Sequence, residues 1–133
     1  MRQDVLLLSL RECNASDWYR HPEDHRCPHD AWVENVAISE PAFGARSEQR
    51  MVQIRIQLLG AYQDGTIEFT YHGVHHHSLH ALGPSGHGDW LSDEVLDRGR
   101  SLVHNVVLTK GRFEIEAKEV EYRWTAFPAN RLL

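Results

Sequence analysis

A chain of 133 residues, 41% hydrophobic and 25% charged, has the composition of one folded domain spanning residues 1–133, and that composition excludes a disordered protein. Nineteen acidic residues against 14 basic ones, a formal net charge of −5, argue against a nucleic-acid surface, which needs clustered Lys and Arg. The same balance suits a protein that meets a basic partner.

The chain opens on "VLLLSL", Val5 to Leu10, which is too short to span a bilayer. Asp4 stands before it, where a signal peptide would carry basic residues. The expected location is therefore cytoplasmic, with Cys13 and Cys27 as reduced thiols. The run fits either a strand or a short helix, expected to close one face of a sheet. "HPEDHRCPHD", His21 to Asp30, follows, and Pro22 and Pro28 make it an irregular loop.

"AWVENVAIS" predicts a strand with Trp32, Val36 and Ile38 on one face. "MVQIRIQLLGAY" alternates strictly, as does "TIEFTY", and Asp64-Gly65 between them predicts a type I′ hairpin. Ile54, Ile56, Ile67 and Phe69 are the expected core of that hairpin. "HGVHHHSLH", His72 to His80, comes next, with an expected bulge at Gly73 where the inward parity flips. Beyond it, "DEVL", Asp97-Arg98-Gly99 and "RSLVHNVVL" predict a second hairpin. Ser101 to Thr109 is apolar on both parities, the pattern of a strand covered on both faces. Lys110-Gly111 turns into "RFEIEAKEVEYRW", where parity flips again and a second bulge is expected near Lys118-Glu119. The fold expected is mainly β. It is a single curled antiparallel meander sheet, a half-barrel or roll of about six strands, with the N-terminal element closing one face.

Three functional readings follow. The favoured one is a small, soluble, non-enzymatic binding protein. Its anchor is an acidic loop in "GHGDWLSDEV", made of His87, Asp89, Trp90, Asp93 and Glu94, and its partner is a basic protein. The second is a metal-binding protein or metal-dependent enzyme holding zinc or another divalent cation on His25, Cys27, His29, His75 and His77. The spacing His-x-Cys-x-His is not a usual zinc pattern, so no cofactor is expected. The third is a small-molecule carrier with a cavity inside the curl. His104 falls among inward residues, where a core histidine bonded to a polar neighbour is favoured over a general base in a pocket. No phosphate loop or serine nucleophile motif is present, and neither nucleic acid nor membrane is an expected partner. An exposed edge strand offers a route to a homodimer.

Overall fold

A computed structural model describes residues 4–128. Along the chain come β1 (Val5–Ser9), α1 (Leu10–Asn14), a 3₁₀ turn (Asp17–Arg20), β2 (Trp32–Ser39), β3 (Ala42–Phe43) and β4 (Gln49–Arg50). The long strands follow: β5 (Gln53–Leu59), β6 (Gly65–Ala81), β7 (Trp90–Asp97), β8 (Leu102–Leu108) and β9 (Gly111–Ala126). The chain is mainly β. Its large sheet is antiparallel, in the order β2-β5-β6-β9-β8-β7, and it curls without closing. β9 is shared: β8 pairs with its first half, Gly111–Ala117, and β1 with its second, Glu121–Thr125. No helix among the described residues is long and apolar enough to cross a membrane.

The β5–β6 hairpin forms as its alternation predicts. Ile56 faces Phe69 and Leu58 faces Ile67, and all four side chains are buried, as are Ile54 and Tyr71. The turn itself differs from expectation. The strands end at Leu59 and restart at Gly65, and the left-handed residue is Gln63 (φ 58°), not the Asp64-Gly65 pair. Gly65 is a glycine for a different reason. A Cβ there would lie 2.4 Å from the Trp124 ring, so the indole occupies the space any side chain would need.

The two expected bulges resolve differently. Inward parity does flip on both strands, from Tyr71 to Val74 and from Ala117 to Val120. Yet the β6–β9 register runs unbroken from Gly65↔Ala126 to Val74↔Ala117. No extra residue therefore stands at Lys118-Glu119 on β9. Gly73 (φ 62°) packs against Lys118, and the facing strands turn over together there. The one-residue shift falls just beyond, between Val74 and His76 on β6.

The N-terminal element is both strand and helix. "SLRE", Ser9 to Glu12, is a capping box: the Glu12 N–H donates to Ser9 Oγ (3.1 Å) and the Ser9 N–H donates to Glu12 Oε1 (2.9 Å). Strand therefore gives way to helix at Ser9. The segment then lays Leu10, Cys13 and Tyr19 onto the sheet's inner face as part of the core. On β8 the even residues from Leu102 to Leu108 are buried inward. Of the odd ones Val103 is covered, while Val107 is open, so only part of the strand is covered on both faces.

β2 departs from its expected face. A register shift between Val33 and Asn35 inserts one extra residue. Val33 and Val36 both pack on the core, and Trp32 is turned to the outer face, 55% exposed. Trp32, Val36 and Ile38 thus do not share a face.

β2 and β7 end the main strand order of the large sheet, with β1 a further edge along β9, and β2 and β7 touch at one corner. The Asp30 N–H donates to Trp90 O (2.8 Å), the Trp90 N–H to Ala31 O (2.8 Å) and the Val33 N–H to Gly88 O (3.2 Å). These bonds make Trp32 and Asp89 directly opposed residues of an isolated bridge. Gly88 is fixed by its other neighbour: its φ is 79°, and a Cβ there would fall 2.0 Å from Thr109 Oγ1.

Candidate functional site

Hydrogen bonds join five side chains, Tyr19, Arg20, Asp93, His104 and Tyr71, around Asp93. Inward parity on β7 and β8 carries Asp93 and His104 under the N-terminal cover. The Asp93 side chain is 3% exposed and His104 is fully buried. Asp93 Oδ2 accepts from Tyr19 Oη (2.8 Å) and lies 2.7 Å from His104 Nε2, while Oδ1 accepts from Arg20. On the other side of the ring, Tyr71 Oη lies 2.8 Å from His104 Nδ1. Burial, and after it the Asp93 charge, raises the Tyr71 hydroxyl well above the ordinary tyrosine range, so it stays protonated. Tyr71 O–H donating to Nδ1, with Nε2–H donating to Asp93, leaves a neutral imidazole with every partner satisfied. Burial pushes the Asp93 carboxyl up. The hydrogen bond from His104, then the Arg20 charge and the Tyr19 hydroxyl, outweigh it and hold the group below the usual carboxylate range.

This geometry limits what His104 can do. A general base needs a nitrogen within reach of substrate. Both nitrogens here are engaged and the ring is covered, so His104 braces the core through two partners. The recess beside it, about 230 Å³, is bounded by Arg20, Cys27, His29 and Asp93. The Cys27 thiol donates to Tyr19 O (3.1 Å), and burial raises its pKa, which makes it a poor nucleophile. The middle of the curl is filled by rings: Phe69 stacks on Trp90 (5.0 Å) and meets Tyr122 edge-on (5.5 Å).

The five metal candidates do not converge: Cys27 and His29 border the recess beside Asp93, and His25, His75 and His77 stand elsewhere. His25 stacks on Tyr62 (3.9 Å) and pairs with Asp64, which pins the 21–31 loop to the β5–β6 turn. His29 bonds to Leu91 O (2.8 Å). His75 and His77 stand exposed on β6. Among the described residues no three His, Cys, Asp or Glu side chains gather where one ion could be held. Nine of the ten histidines retain some exposure, His104 being the exception. Imidazole in water gains its proton between about pH 7 and pH 5. The folded protein, at −5 with neutral histidines, should therefore reverse its electrophoretic direction between pH 8 and pH 5. A folded protein still anionic at pH 5 would mean histidines held neutral or bound.

The expected partner-binding set is divided by the fold. Trp90 is 1% exposed and belongs to the core, and Asp93 is buried in the network above, so neither can anchor a partner. Glu94 is exposed on β7. His87 packs on Phe113 (5.0 Å), and burial lowers its pKa. Asp89 remains half-buried beside Trp32. Together Trp32, Ser85, His87, Asp89 and Lys110 bound a recess of about 320 Å³. The tryptophan that this loop presents is thus Trp32, from a strand 57 positions earlier than its bridge partner Asp89. Of the network's members, His104 and Asp93 were legible in the sequence, the latter as part of a binding loop; Tyr19, Arg20 and Tyr71 were not legible as members of a site.

No protein-family model, curated protein or solved structure matches this chain.

Proposed function

We propose that this chain is a non-enzymatic binding protein of the cytoplasm and that a protein partner docks at the recess between Trp32 and residues 85–89. The observation that carries the reading is the exposed Trp32 indole on a backbone fixed by the corner where the sheet edges meet. Large aromatics on a rigid frame supply most of the energy of interfaces, because little conformational freedom is lost on docking. The cytoplasmic setting is in keeping with Cys13 and Cys27, which are unpaired thiols buried in the protein.

The test is affinity capture from cell extract with the wild-type protein and with Trp32→Ala. A stoichiometric partner retained by the first and lost from the second is the expected result. The same retained set on both proteins would sink the reading.

A further inference from the structure

The recess beside Trp32 has a chemistry of its own. As bridge partners, Trp32 and Asp89 project to the same side, with Cβ atoms about 4.5–5.5 Å apart. The Asp89 backbone is fixed, since its N–H donates to Thr109 Oγ1 (2.8 Å), but among the described residues its carboxylate has no hydrogen bond or ion pair. Lys110, which lines the recess, donates from Nζ to Ser85 Oγ (3.1 Å) and forms no ion pair with Asp89. His87 adds no charge at neutral pH, because burial disfavours its protonated form. Gly86 has open space where a Cβ would stand, so the loop does not fill the recess.

An aromatic face beside an unpaired carboxylate is the complement of a guanidinium, which stacks by its plane and forks onto oxygen by its edge. The described residues already hold such an arrangement. The Arg26 guanidinium lies 4.6 Å from the Trp18 ring centre while its Nε and NH2 donate to the two oxygens of Asp24 (2.9 and 2.8 Å). At Trp32 and Asp89 the aromatic and the carboxylate are present and the arginine is missing. We infer that the recess receives an arginine side chain of the partner, stacked on Trp32 and paired with Asp89. This rests on the docking reading above and names the group that would be recognised. A lysine ammonium, a point charge without a plane or a fork, fits the same pair less well.

The experiment follows the Trp32 indole N–H resonance, identified by its loss in Trp32→Phe, during titration with acetyl-Gly-Arg-Gly-amide and with its citrulline counterpart. Citrulline keeps the shape and removes the charge. The expected result is a saturable shift with the arginine peptide, weaker by about fivefold or more with the citrulline peptide and in Asp89→Asn. The amide spectrum of Asp89→Asn should otherwise match the wild type, which excludes misfolding as the cause. No response, or equal response to both peptides, overturns the inference. The two readings can fail separately. Trp32-dependent capture without peptide discrimination keeps the docking site and removes the arginine, and discrimination without capture does the reverse.

Discussion

Asp93→Ala should cost the fold about 3–5 kcal/mol, the range for removing one partner of a buried charged network. The change strands the Tyr19 hydroxyl, one side of the Arg20 guanidinium and His104 Nε2 together, and it unfastens the 3₁₀ turn from β7. For a chain of this length the thermal midpoint should fall by about 10 °C or more. The pH dependence has a definite sign. The folded Asp93 carboxyl titrates below its ordinary value, so its contribution is present above the unfolded pKa of about 3.9 and is lost as pH falls through the lower folded value. The gap in urea midpoint between wild type and Asp93→Asn should therefore be full at pH 7 and narrow toward pH 3. A gap that widens in acid would show that Asp93 is held protonated in the native state.

The second large effect separates two tryptophans that look alike in the sequence. Trp90→Ala removes a buried ring that stacks on Phe69 and lies 5.5 Å from His104, and it should cost about 3–5 kcal/mol. Its backbone also supplies two of the hydrogen bonds that join the sheet edges, so the loosened strand should weaken that corner as well. Trp32→Ala, on the outer face, should change stability by no more than about 0.5 kcal/mol. Chemical denaturation of the two variants beside wild type gives the comparison. Equal losses would mean that Trp32 is core and that the docking reading has no anchor.

What the sequence disclosed and what it hid divide along physical lines. Alternation is a local signal, and it located β5, β6 and their buried residues because one face of each strand must be apolar. It also put His104 inside. The bulge in β2 was hidden, since one inserted residue reverses faces without changing composition, and so was the separate shift in β7 between Trp90 and Ser92; Trp32 therefore stands outside, while Trp90 and Asp93 both face in. Gly65 looked like a turn residue because positive φ is the commoner reason for glycine after aspartate. The reason here is a ring contributed by residue 124, which no local pattern carries. The sequence put Asp93 in an acidic loop that meets a partner. Its partners Tyr19 and Arg20 lie more than seventy positions away, and pairing across such a distance leaves no periodicity to read.

The inserted residue at the start of β2 bears on how this protein behaves in a crowded solution. An open sheet edge offers rows of unpaired backbone groups on which other chains can add strands, and such growth leads to insoluble fibres. On the β7 edge the chain covers part of the row with its own arginine, since Arg20 donates to the Asp93 carbonyl (3.2 Å). On the β2 edge, the straight run is short, lying between the kink at Glu34 and the break at Pro41, with a charge at each end in Glu34 and Glu40. A run so brief and so flanked is a poor template. The single extra residue that turns Trp32 toward solvent also helps keep the edge beside it from seeding aggregation.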